Sequence, residues 1–265
     1  MPDREPPQID IAPVQPARPL PRPRLTGTVV VREGVEELID AMAADLFFQS
    51  RACVRTFGDF HLALSGGSTP EPLYRRLMYD PNYRELPWKR THLWVVDERR
   101  VPLDDPRSNF KMIRETLVEH SDIPREQVHP VEATEPDADT RYETELRDIL
   151  GWREKGHDRL DYVLLGMGAD GHTASLFPRS PALEAADRLV VINAGPMVTP
   201  PDRVTMTLGL INASRFVGIM VTGEKKRAAA ARVAAGSELV EDLPVMGVRP
   251  VGGELRWYLD RAACP

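Results

Sequence analysis

HLALSGGSTP, His61 to Pro70, is the stretch that decides the fold. His61 to Leu64 reads as a short apolar strand. It runs directly into two glycines and two hydroxyl residues. Thr69 can cap a helix, and Pro70 suits the first helical turn. DYVLLGMGADGH, Asp161 to His172, has the same start: a buried-looking strand, Asp161 to Leu165, entering a Gly-rich loop.

Outward from these two points, strands and helices alternate. Thr28 to Val31 is β-branched and predicts a first strand. From Gly34 a helix is expected, with Val35, Ile39, Met42 and Leu46 on one face. Thr91 to Val96 predicts a third strand, and Ser108 caps a helix from Asn109 to about His120. Glu132 to Asp139 reads as an acidic loop and Thr140 to Leu150 as a helix. Further strands are expected at Leu189 to Ile192, Arg203 to Leu208, Phe216 to Val221 and Leu255 to Leu259, with an Ala-rich helix from Lys225 to Ala235. There is no internal repeat. The predicted fold is α/β, a three-layer α/β/α Rossmann-like arrangement around a mostly parallel sheet. Ligands bind beyond the carboxyl ends of such strands. The loops SGGST, VDERR and GMGADGHT should therefore converge on one edge.

The 265 residues are 42% hydrophobic and 28% charged, with a formal net charge of −6. That is ordinary globular composition, and the acidic balance argues against a nucleic-acid partner. No apolar run approaches the roughly 18 residues of a membrane span. Only Cys53 and Cys264 are present, which fits a reducing, cytoplasmic setting. Eight prolines between Pro2 and Pro23 predict a disordered proline-rich tail over residues 1–25, without the apolar core of a secretory signal. Residues 26–265 are expected to form one domain.

In SGGSTP, Gly66 and Gly67 let backbone N–H groups approach an anion, Ser68 and Thr69 add hydroxyls, and the following helix adds its positive end. A plain strand-to-helix turn would use the same residues. The Gly-Lys-Ser/Thr ending of a Walker loop is missing. Gly166, Gly168 and Gly171 match a dinucleotide fingerprint in spacing, but Pro178 and Pro181 interrupt the helix it needs and no acid ends the next strand.

His172 is the best catalytic candidate. Its imidazole can act as base and acid near neutral pH, and Asp170 can fix its tautomer. No second histidine or cysteine stands at metal-ligand spacing, so no metal is expected. No Gly-x-Ser-x-Gly elbow marks a serine nucleophile. Arg99 in VDERR and Arg203 in PPDRVTMTL offer planar forks for phosphate or sugar hydroxyls. Lys226 in TGEKKR stands at a helix start, where a cation is unfavourable unless an anion sits nearby.

LALSGGSTP, WVVDERRVP with RSNF, LLGMGADGHTASLFP, PPDRVTMTL, VTGEKK and LRWYLDRAA, taken in this order, resemble the 6-phosphogluconolactonase family from about Thr28 to Ala263. That family is similar to the sugar-phosphate isomerases and deaminases. The deaminase pattern has Asn-Glu-Pro after the histidine, where this chain has Leu176-Phe177-Pro178. The resemblance implies hydrolysis of 6-phospho-D-glucono-1,5-lactone, with no cofactor and no metal. It implies His172 and Asp170 as the catalytic pair. Ser65, Gly66, Gly67, Ser68, Thr69, Asp97, Arg99, Asn109, Arg203 and Lys226 form the implied binding set. It also implies a functional link to glucose-6-phosphate dehydrogenase, and a monomer or small homo-oligomer. An amino-sugar-phosphate deaminase and a non-catalytic sugar-phosphate-binding protein are the rival readings.

Overall fold

The structure is a computed structural model and describes residues 19–195 and 198–265. The first 18 residues of the predicted tail lie outside the described residues. In chain order the elements are β1 (Thr28–Arg32), α1 (Val35–Phe57), β2 (Phe60–Leu64), α2 (Glu71–Tyr79), β3 (Thr91–Val95), β4 (Asp97–Arg99), α3 (Asn109–Thr116) and β5 (Val128–His129). They continue as α4 (Ala138–Leu150), β6 (Tyr162–Gly166), β7 (Val190–Ala194), β8 (Asp202–Met206), α5 (Leu208–Ala213), β9 (Phe216–Val221), α6 (Arg227–Ala235) and β10 (Glu254–Asp260).

Seven strands form one sheet in the order β1-β10-β9-β6-β2-β3-β5, with every neighbouring pair parallel. All five residues of β2 are buried. A strand covered on both faces is apolar throughout rather than alternating, which is why this one is legible as FHLAL. Helix α1 packs on β1, β10 and β2 and on α2. It buries Leu38, Ile39, Met42, Ala43 and Leu46, spaced by three and four residues. Val35, expected on that face, lies in the exposed first turn.

The sequence did not foretell the second sheet. Strands β4, β8 and β7 pair antiparallel in the order β4-β8-β7. The Asp97–Arg99 segment, read as a strand-end loop, is thus a strand in its own right. Three residues are too few for a periodic signal; the pairing comes from a partner 108 positions later, Thr205 opposite Asp97 with Val204 and Arg203 following. The predicted strand over 203–208 runs over 202–206 instead.

Other boundaries move for local reasons. Thr69 does not cap α2: Pro70 occupies the cap position in helical conformation and no side chain bonds the helix end. Ser108 does cap α3, its hydroxyl accepting from Lys111 N–H. That helix stops at Thr116, where Leu117 leaves helical geometry, and a short 3₁₀ turn covers 118–120. Helix α4 begins at Ala138, inside the predicted acidic loop. No helix among the described residues is long and apolar enough to cross a membrane.

Candidate active site

Strands β2, β6 and β9 are neighbours and parallel, so they end at one edge. That edge receives the SGGST loop after β2, the GMGADGH loop after β6 and the TGEKK loop after β9. Ser65 ties the first two together: its hydroxyl donates to Leu164 O at 2.8 Å, and its own carbonyl accepts from Tyr74 Oη at 2.6 Å. The second sheet is docked by Val96, whose N–H donates to Leu64 O and whose carbonyl accepts from Met206 N–H. It brings Arg99 and Arg203 to the same place.

The result is a cavity of about 440 Å³, within the range that holds a small molecule. Of the sequence-predicted set, Ser65, Gly66, Gly67, Thr69, Asp97, Arg99, Asn109, His172, Arg203 and Lys226 line it. Ser68 does not; it stands exposed at the outer side of the turn. Asp170 lies behind His172, off the cavity wall. Sequence reasoning missed Met167, Ser175, Phe177, Val198 and Thr199, which also line it. Apolar and hydroxyl side chains at these positions form no motif that would mark them in a sequence.

His172 Nδ1 lies 2.6 Å from Asp170 Oδ1, and the same oxygen accepts from His172 N–H at 3.2 Å. Burial pushes the Asp170 carboxyl up, but the hydrogen bond and charge of His172 outweigh it and bring it down to about 2. An ionised carboxylate at Nδ1 accepts a hydrogen bond from the proton held there, which leaves the lone pair on Nε2. Gly168 makes the approach possible. A Cβ there would overlap His172 Nδ1 and Asp170 Oδ1. Phe177 packs at 5.1 Å from the imidazole, tilted by 57°.

Three cations, Arg99, Arg203 and Lys226, line the same cavity. Arg203, 5% exposed, donates among the described residues only to backbone carbonyls, those of Pro200 and Asp202. Arg99 donates to Arg107 O. Among the described residues no carboxylate lies within ion-pair distance of Arg99, Arg203 or Lys226. Burial lowers Arg203 from its ordinary value and the neighbouring Arg99 adds to that. Burial likewise lowers Lys226, against an opposing pull from Asp170. The N–H groups of Gly66, Gly67, Ser68 and Thr69 find no backbone acceptor among the described residues. Gly67 holds φ +97, which a side chain would resist. Cations without a carboxylate partner and N–H groups without a backbone acceptor, gathered around one cavity, are donors available to an anion.

Asp97 and Asn109 are fixed by buried contacts. Asp97 Oδ2 accepts from Ser175 Oγ at 2.6 Å, and Asn109 Nδ2 donates to Asp97 O at 2.7 Å. One other group of metal-capable side chains, Asp59, His61 and His92, sits at the far, amino-terminal end of the strands. Trp94 Nε1–H donates to His61 Nδ1 at 3.1 Å. An indole nitrogen only donates, so the His61 proton is on Nε2, facing Asp59 Oδ2 at 3.5 Å. That nitrogen offers no lone pair to a metal.

The sequence profile described as "Glucosamine-6-phosphate isomerases/6-phosphogluconolactonase" matches residues 33–257. The chain is 40% identical over 233 residues to the human "GDH/6PGL endoplasmic bifunctional protein"; the match covers 85% of this chain and 28% of that protein. The chain thus spans less than a third of that relative. It is 40% identical over 210 residues to the 6-phosphogluconolactonase of Synechocystis sp., covering 78% of this chain and 84% of the relative. The solved structure of 6-phosphogluconolactonase from Trypanosoma cruzi superposes with a TM-score of 0.79 at 28% identity, over 90% of this chain and 96% of that one.

Proposed function

The chain belongs to the glucosamine-6-phosphate isomerase/6-phosphogluconolactonase family, and we propose that it is a lactone hydrolase that opens 6-phospho-D-glucono-1,5-lactone to 6-phospho-D-gluconate. One observation carries this reading: a carboxylate-oriented imidazole and an anion site with unpaired cations share one cavity of sugar-phosphate size.

The phosphate sits against Arg99, Arg203, Lys226 and the N–H groups of the SGGST turn. This anchors the lactone with its carbonyl toward His172. His172 Nε2 takes a proton from water as the water oxygen attacks C1. Negative charge grows on the carbonyl oxygen, where N–H groups of the glycine-rich loop after β6 stabilise it. As the intermediate collapses, the bond from C1 to the ring oxygen breaks and His172 returns its proton to that oxygen. The sum is addition of one water. Asp170 holds the ring in the productive tautomer throughout. Asp97 and Asn109 present polar atoms to the sugar hydroxyls.

This reading needs no cofactor. It treats residues 26–265 as one catalytic domain in the cytoplasm. A functional link to glucose-6-phosphate dehydrogenase is supported by the human relative, whose name joins GDH and 6PGL in one chain. The test is a coupled assay for 6-phosphogluconate, corrected for spontaneous lactone opening. Catalysed opening is expected. Ammonia release from glucosamine 6-phosphate, or binding of 6-phosphogluconate with no turnover, would overturn the proposal.

A further inference from the structure

Glu98 is fully buried, yet no cation pairs with it among the described residues. Its carboxylate is satisfied entirely by four donors from two segments. Oε1 accepts from Arg99 N–H and Asn109 N–H, both at 2.7 Å. Oε2 accepts from Ser108 Oγ at 2.9 Å and Phe110 N–H at 2.8 Å. A buried carboxylate costs several kcal/mol to desolvate, a cost these four hydrogen bonds offset. What the carboxylate does is bind the amino end of α3 to β4, where the helix presents orphan N–H groups and a positive dipole.

Two of the residues held by these bonds, Arg99 and Asn109, line the cavity. Arg99 is gripped at its backbone by Glu98, and its guanidinium is steadied by Arg107 O, one residue before Ser108. Asn109 is gripped at its N–H, and its side chain packs so closely on Gly66 that a Cβ on that glycine would overlap it. One buried carboxylate therefore sets the relative position of a cationic arm and the glycine turn.

We propose that Glu98 is a positioning residue for phosphate recognition, acting through Arg99, Asn109 and the turn at Gly66 without touching substrate. The inference rests on the phosphate reading given above and adds a specific residue to it.

The decisive variant is Glu98→Gln. The amide keeps the shape, but its NH₂ end cannot accept, so two of the four donors lose their partner. KM for the phosphorylated lactone should rise about tenfold or more, equivalent to at least about 1.4 kcal/mol. KM for unphosphorylated gluconolactone should stay within about twofold, and kcat should change little. The ratio of kcat/KM between the two lactones therefore collapses. A role in folding alone would lower Tm and leave that ratio at the wild-type value; this result overturns the proposal. Should Glu98→Gln fail to fold, Ser108→Ala removes one donor and keeps the carboxylate. It should shift the ratio in the same direction by a smaller factor, and an unchanged ratio there is equally fatal. A wild-type enzyme that does not prefer the phosphorylated lactone would instead refute the phosphate reading itself, before Glu98 is reached.

Discussion

Arg99 stands directly opposite Arg203 in the antiparallel ladder of β4 and β8. Like charges at such a pair repel and weaken it, and among the described residues only backbone carbonyls accept from the two guanidinium groups. The fold carries this repulsion where the two arginines border the cavity, and an anion bound between them, as proposed, would relieve it.

Arg203→Ala should accordingly raise KM for the phosphorylated lactone by about 10- to 100-fold, the equivalent of losing one or two charge-assisted hydrogen bonds. Plain gluconolactone should be affected far less. Equal effects in parallel steady-state assays of both substrates would dispose of the phosphate assignment.

His172→Ala should lower kcat by about 10²- to 10⁴-fold, the usual contribution of proton transfer, with little change in KM. Asp170→Asn should lower kcat as well, because the amide does not select the tautomer that frees Nε2. The measurement is single-turnover opening with the uncatalysed rate subtracted. Wild-type rates in His172→Ala would end the mechanism.

Gly168→Ala tests the geometry of the pair without altering either member. The new methyl must displace the imidazole or the carboxylate. A shift of about 1 Å at a reacting group costs about 10²-fold. A variant that folds with wild-type Tm and keeps full kcat would show that the close approach is incidental.

Acid stability has a separate determinant in Glu143. It accepts from Arg188 Nε at 2.8 Å, from Arg147 and from Leu189 N–H at 3.0 Å, fastening α4 to the start of β7. Burial pushes its carboxyl up, but the arginines outweigh it and bring it to about 2. The value is depressed on folding, so the stabilisation is complete above the ordinary glutamate range and is lost as pH falls toward 2. Arg188→Ala should cost about 0.5–1 kcal/mol near pH 7, discounted for solvent screening, and almost nothing near pH 2. Calorimetric Tm values across that range read the difference directly. A deficit that persists undiminished in acid would mean the arginine acts by packing.

Much of the site was legible because glycine and histidine leave local marks. A strand such as FHLAL, buried on both faces, is apolar at every position, and the glycines that follow can only mean a turn or a close approach. His172 with Asp170 two residues away is a local pair, so its hydrogen bond could be anticipated from spacing. Glu98 gave no such signal. Its four partners come from Arg99 and residues 108–110, and nothing in VDERR distinguishes a buried carboxylate from a solvated one. Ser68 shows the converse: its type fits a phosphate loop, but it stands exposed and its side chain is not among those lining the cavity.

The amino-acid order alone thus set the alternation of strands and helices, the parallel sheet and the two loops that carry the chemistry. Those properties follow from side-chain periodicity and from backbone freedom at single residues, both of which act over a few positions. Which strands lie side by side, the antiparallel second sheet and the meeting of Arg99 with Arg203 were decided by tertiary structure. Pairing energies depend on partners about a hundred residues apart, and those partners are chosen only when the core closes around them.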